Sequence, residues 1–181
     1  MSVRAGKALA FSGFALVVIA ALWATSSVQR EDTTSGSEPR RSAPDFSLPL
    51  LSGLDFALSE HRGRAVIIDF WATWCGPCEV QMPVLDALWK RRRGEDLMVV
   101  GVSVDTDPAE VIAAWVAERG IEYPIALGDH DLAMRFGVVG FPTLLVIDPD
   151  GGIHTQHIGV LSRPELEEIL DEIRSEQSAK G

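Results

Sequence analysis

The chain has 181 residues, enough for one domain with a proper hydrophobic core. Its 16 basic and 26 acidic side chains give a formal charge of −10. That balance argues against general nucleic-acid binding, because a polyphosphate partner needs net positive surface.

The 46% hydrophobic content is weighted towards the N-terminus. Arg4 and Lys7 precede "ALAFSGFALVVIAALWATSSV" (8–28), which carries no charge and is long enough to cross a bilayer as a helix. The flanking positive charges predict a cytoplasmic N-terminus and export of everything after the span. Residues 1–28 are read as a single-pass anchor, with a cleaved signal peptide as the alternative because Ala24 and Ser26 offer small residues for processing. Neither cysteine lies near this segment, so lipid attachment through a cysteine at its end is excluded. "QREDTTSGSEPRRSA" (29–43) is polar and without apolar periodicity, a flexible tether. The folded domain is expected over 44–175, with 176–181 as a disordered tail.

Within that domain, "APDFSLPLLSGLDFALSEHRGR" (43–64) predicts a β-hairpin around a Ser-Gly turn, then a brief connector. "AVIIDFWA" (65–72) and "LMVVGVSVD" (97–105) read as buried central strands. Between them, Val80, Val84, Leu85, Leu88 and Trp89 fall at helical spacings. The basic run Lys90 to Arg93 closes that helix, where cations suit the negative end of the dipole. Asp107 and Pro108 predict an N-cap and a first helical residue for "AEVIAAWVAERG". "YPIALGD" (123–129) reads as a short strand, Asp131 to Phe136 as a short helix, and 142–159 as a hairpin with an Asp-Gly turn. Ser162 and Glu165 form a capping-box pattern ahead of a last helix carrying Leu166, Ile169, Leu170 and Ile173 on one face. The alternation predicts an α/β fold with a mixed central sheet flanked by helices.

The two cysteines of the chain are Cys75 and Cys78. They cannot fill a four-ligand zinc site alone, and His61, His130, His154 and His157 show no ligand spacing relative to them. No metal and no other cofactor is therefore expected. A purely structural bridge closing so small a loop removes little unfolded-state entropy. Redox exchange has a mechanism. Cys75 follows a strand and opens a helix, where unsatisfied N–H groups and the dipole favour thiolate, the attacking species. Gly76 and Pro77 keep the turn tight. Cys78, one turn in, is placed to resolve a mixed disulfide. Pro83 falls inside the helix and is expected to kink it.

"DFWATWCGPC" (69–78) and "VVGFPTLLVIDPDG" (138–151), with "APDFSLPLLSG" (43–53) and the Gln81-Met82-Pro83 run, resemble the thioredoxin superfamily. More narrowly they resemble membrane-anchored TlpA/ResA-type thiol-disulfide oxidoreductases, which also carry an extra strand-helix segment, here around 106–130. The resemblance covers about 44–175. It implies a thioredoxin-like fold with an N-terminal β-hairpin and a central strand-helix insertion. It also implies a cis proline at Pro142, a substrate segment pairing with the Phe141 backbone, and an apolar rim of Trp74 and Phe141.

Two positions depart from the family pattern. Gln81 stands where Glu is common, and Asp69 where Asn is common. The expectation is that the buried acid has moved from helix to strand, so that Asp69 deprotonates Cys78 while Gln81 is a neutral remnant of the proton relay. By resemblance the activity is reduction of protein disulfides on the outer side of a bacterial membrane, in the periplasm or at the cell exterior. Apocytochrome c or its maturation factors would be the targets, and a membrane thiol-relay reductase the electron donor. A thiol peroxidase of peroxiredoxin type and a copper-delivery protein for oxidase assembly stand as alternatives. Against them, there is no separate peroxidatic cysteine, and the cysteine spacing is one residue shorter than the C-x-x-x-C of such copper chaperones.

Overall fold

A computed structural model describes residues 40–180 except 93 and 95. The expected anchor (1–28) and most of the tether lie outside the described residues. Among those described, no helix is long and apolar enough to cross a membrane.

The two apolar runs form β3 (Ala65–Trp71) and β4 (Leu97–Ser103), parallel and buried along their whole length. Flanking them are β5 (Ile125–Leu127), parallel to β4, and the antiparallel hairpin of β6 (Thr143–Ile147) and β7 (Ile153–Ile158). The sheet order is β5-β4-β3-β6-β7, so the longest strands lie inside, where both faces can be covered. Preceding it, β1 (Ser47–Pro49) and β2 (Asp55–Ala57) pair as a separate hairpin whose turn uses Gly53 at φ +84°. Leu51 N–H donates to the Ile125 carbonyl at 2.9 Å, docking this hairpin on β5.

Among the described residues, four α-helices and a 3-10 turn at Leu58–His61 complete the domain: α1 (Gly76–Arg92), α2 (Ala109–Glu118), α3 (His130–Arg135) and α4 (Arg163–Lys180). The expected capping pattern starts α4. Glu165 accepts from the Ser162 N–H at 2.8 Å, and Leu166, Leu170 and Ile173 are buried. At α3 the Asp129 carboxylate accepts from the Leu132 N–H at 2.7 Å.

Several boundaries and phases differ from expectation. Val80 is not a core residue of α1 but 60% exposed; the buried stripe is Cys78, Gln81, Met82, Leu85 and Leu88. The helical period holds, but its phase is set by the second cysteine and takes a glutamine inside. Asp107 does not cap α2: Pro108 occupies the N-cap and no side-chain cap is made. The tether ends earlier than 43. Ser42 bridges Gly152, Arg41 O accepts from the Ile153 N–H at 2.9 Å, and Arg40 pairs with Glu176 at 2.7 Å. These contacts occupy backbone groups that the edge strand would otherwise expose. At the other end α4 runs past Ser175 to Lys180, whose ammonium meets Asp150 at 2.7 Å; no disordered tail begins at 176.

The sheet has two distinct interiors, because side chains alternate along a strand. Phe70 packs on Phe136 of the segment after α3, with Phe46 and Phe56 beyond it. On the opposite face of β3, Asp69 and Trp71 meet residues from the inserted segment: Trp71 packs on Trp115 in a tilted pair with ring centroids 5.0 Å apart. Gly101 lies opposite Asp69 in the β3–β4 register. A Cβ there would stand 2.7 Å from Ile125 Cδ1 and 3.0 Å from both Trp71 Nε1 and Tyr123 Cε2. Gly101→Ala is therefore expected to destabilise the fold by about 1–3 kcal/mol through overpacking, measured by urea unfolding. An unchanged midpoint would contradict this packing.

Candidate active site

Strand β3 ends at Trp71, and the chain turns through Ala72, Thr73 and Trp74 before α1 starts at Gly76. One side chain holds that turn. The Asp105 carboxylate, just past β4, accepts from the Thr73 N–H at 3.0 Å, from Thr73 Oγ1 at 2.7 Å and from Ser103 Oγ at 2.7 Å. The Cys75 N–H donates back to Ala72 O at 3.1 Å, so Cys75 leaves the turn at the N-terminus of α1.

Cys75 and Cys78 are joined in a disulfide. The two sulfurs differ in access: Cys75 is 5% exposed and Cys78 has no exposure. The Cys78 N–H points at Cys75 Sγ from 3.3 Å, a donor that would favour negative charge on that sulfur. Around Cys75 the surface is made of Trp74, Gly76, Pro77 and Val80, all exposed.

The Phe141–Pro142 peptide is cis. Phe70 pairs with Thr143 in the β3–β6 register, so Pro142 sits at the sheet end from which α1 departs. Pro142 O accepts from the Gly159 N–H, and Thr143 Oγ1 donates to Gly140 O at 2.6 Å, bracing the loop from both sides. Phe141 meets Trp74 edge-on at 5.7 Å, and His130 lies 6.2 Å from Phe141. Trp74, Phe141 and His130 thus form one aromatic surface beside the disulfide. The histidine was not singled out in the sequence, since nothing local marks it.

Beneath that surface, Asp69 is fully buried. Burial pushes its carboxyl up to about 7, against a smaller downward pull from the Tyr123 hydroxyl, which donates to Oδ2 at 3.3 Å. Its other oxygen, Oδ1, has no hydrogen-bond partner, nor does the nearby indole nitrogen of Trp71. Gln81 is also fully buried. Its Oε1 accepts from the Leu161 N–H at 2.6 Å, tying α1 to the chain after β7, and its Nε2 has no partner. Gln81 is thus held through its carbonyl oxygen, the one polar atom of that amide that a carboxylate would share. Among the described residues no three His, Cys, Asp or Glu side chains gather as metal ligands would.

Residues 39–156 match the AhpC/TSA family. The chain is 32% identical over 138 residues to a thioredoxin-like protein, YneN, of Bacillus subtilis, covering 75% of this chain and 81% of that one. It is 31% identical over 135 residues to the thiol-disulfide oxidoreductase ResA of Geobacillus kaustophilus, covering 73% and 76%. Among solved structures, a thiol:disulfide interchange protein of the thioredoxin family from Chlorobium tepidum superposes with a TM-score of 0.67 at 27% identity. That alignment covers 75% of this chain and 97% of that one.

The buried acid has a thermodynamic signature. The folded state holds the Asp69 proton up to about pH 7, whereas the ordinary value for the group is 3.8. Native protein then binds more protons than unfolded protein between those limits, and stability falls as pH rises through them. Asp69→Asn, with no charge to bury, is expected to be more stable than the parent at about pH 8. The expected gain is on the order of 4 kcal/mol, fading towards zero below about pH 4. Urea unfolding of the oxidised proteins at both pH values measures it; an equal difference at the two would contradict it.

Proposed function

The chain belongs to the AhpC/TSA family and to its ResA-like thiol-disulfide oxidoreductases, and we propose that its Cys75–Cys78 couple works as a reductant of protein disulfides outside the cytoplasm. The observation that carries this is the contrast between the two sulfurs. One is 5% exposed and receives a backbone donor, and the other has no exposure at all.

In the reduced protein the Cys75 thiolate attacks one sulfur of a substrate disulfide. A bond forms between Cys75 and that sulfur, the substrate S–S bond breaks, and the other substrate sulfur leaves as thiolate to be protonated by solvent. Cys78 then yields its proton to the Asp69 carboxylate and attacks Cys75 Sγ. The second substrate thiolate departs, the Cys75–Cys78 bond forms, and two electrons have passed to the substrate. A carboxyl near 7 suits that step, because it can both accept and release a proton near neutrality. Gln81 takes no proton in this scheme; it fixes the α1 end against Leu161. Trp74 and Phe141 cover the approach to Cys75, and a substrate strand docks along the Phe141–Pro142 loop.

The resemblance to TlpA/ResA-type proteins supports the remaining parts. Residues 8–28 anchor the chain, the domain faces the periplasm or cell exterior, and a membrane thiol-relay reductase returns the electrons. The substrates are disulfides of apocytochrome c or of the proteins that handle it, which are returned to thiols. Both cysteines of the chain lie in this one motif, and the named relatives are thioredoxin-like proteins and thiol-disulfide oxidoreductases, which favours this reading over a peroxidase.

Cys78→Ser leaves Cys75 able to attack but nothing to release it. The variant is expected to accumulate mixed disulfides with its partners in cells, resolved by reducing agent on gels, while Cys75→Ser yields none. Equal adducts from both variants, or none from Cys78→Ser, would overturn the assigned roles.

A further inference from the structure

Tyr123 is a buried ionisable group that the exchange chemistry leaves without a role. It belongs to the inserted segment and lies two residues before β5, whereas Asp69 is on β3, with β4 between them. A side chain from the β5 side reaches that carboxylate only by crossing β4. It crosses at Gly101, where the absence of a Cβ leaves room for the phenol ring. The hydroxyl then ends 3.3 Å from Asp69 Oδ2. Among the described residues it is the one hydrogen-bond donor to that carboxyl, since Oδ1 has no partner.

The segment bearing Tyr123 is held by the same helix that carries the cysteines. The Asp86 carboxylate of α1 accepts from the Glu122 N–H at 2.7 Å, and Lys90 of α1 bridges Asp86 at 2.7 Å and Glu122 at 2.8 Å. Phenol, carboxylate and Cys78 are therefore set in one frame by α1, β3 and the inserted segment. The groups that face the pair are few. Asp69 meets Tyr123, while Tyr123 feels Asp69 and, from α1, Asp86, whose charge is paired with Lys90.

We propose that Tyr123 is a positioning residue for proton transfer from Cys78, its hydroxyl donating to the ionised Asp69 carboxylate and turning to accept when Asp69 holds the proton. A hydroxyl can do both, which a fixed cation or an amide N–H cannot. Donation opposes the burial penalty on the charged form and keeps Asp69 available as a base near neutrality. Loss of the hydroxyl alone should raise the pH at which Asp69 ionises without disturbing the sulfurs. This inference rests on the reading that Asp69 receives the Cys78 proton.

Tyr123→Phe tests it with two readouts. The first follows the Asp69 carboxyl carbon by NMR titration of the oxidised protein, where no thiol titrates. Its midpoint is expected to rise by about one pH unit, a shift equivalent to roughly a tenfold change in the ionisation constant. A midpoint unchanged or lowered overturns the proposal. The second mixes reduced protein with an aromatic disulfide that releases a coloured thiol, and follows the unimolecular phase in which Cys78 resolves the Cys75 adduct. Its acid limb is expected to move up with the NMR midpoint, slowing resolution roughly fivefold near neutrality, while the alkaline plateau stays within about twofold of the parent. A lowered plateau with a stationary limb would mean a structural role only and overturns the proposal. Asp69→Asn separates the two readings. If the acid limb persists there, Asp69 is not the base and the functional reading falls with this one. If the limb vanishes there but Tyr123→Phe moves nothing, only the role of Tyr123 is refuted.

Discussion

A helix begins on the residue after Cys75, and the first amides of any helix have no carbonyl further up the chain to bind. In this protein the Cys78 N–H is shared between the Cys75 carbonyl at 3.0 Å and Cys75 Sγ at 3.3 Å. The alignment of backbone dipoles adds ~0.3–1 kcal/mol in favour of an anion at an exposed helix start and up to ~2 kcal/mol where it is partly buried. At about 1.4 kcal/mol per unit, that spans a fraction of a pKa unit to roughly one and a half. The rest of the site depends on keeping this sulfur at that position. The Asp105 carboxylate does so by pinning Thr73 from the end of the neighbouring strand.

Burial gives the two sulfurs different duties. A thiol in apolar surroundings yields its proton reluctantly, so a resolving cysteine sealed under the helix needs a nearby base. A surface carboxylate would be too weak a base, ionised well below neutrality. Asp69 is brought into the useful range by the same burial that seals Cys78, at a cost to folding stability when it ionises. Both Asp69 and Cys78 are fully buried, and in the proposed scheme the acid serves that sulfur. The inserted segment contributes as well: Trp115 packs on Trp71, and Tyr123 reaches Asp69 over Gly101.

Much of this was legible in the chain. The apolar runs over 65–72 and 97–105 became β3 and β4 because continuous β-branched stretches demand burial on both faces. The Asp-Gly hairpin, the Ser162–Glu165 cap and the C-x-x-C at a strand–helix junction rest on local chemistry that short sequences encode. Cys75 and Cys78 were marked by their spacing at a strand–helix junction, whereas the parts given to Asp69, Trp74 and Phe141, and the cis peptide at Pro142, came from resemblance.

What escaped depends on long-range contact. Asp105 looks like an ordinary acid after a strand until Thr73 folds against it from 32 residues away. Tyr123 lies 54 residues from Asp69, and only the strand order brings them together. Val80 falls at helical spacing with Val84, but the helix phase is set by Cys78, which leaves Val80 at the surface beside the disulfide. Asp107 and the ordered stretch to Lys180 were misjudged for the same reason: capping and fraying depend on neighbours such as Asp150 that sequence distance hides.

The claim beneath all of this is that α1 makes Cys75 an acidic, attacking sulfur. The direct measurement is a titration of its thiolate by ultraviolet absorbance and alkylation rate in the reduced Cys78→Ser protein. Ionisation is expected at least about one unit below the ~8.5 of a free cysteine, with fast alkylation at neutral pH. Ionisation at or above ~8.5, with slow alkylation at neutrality, would contradict it.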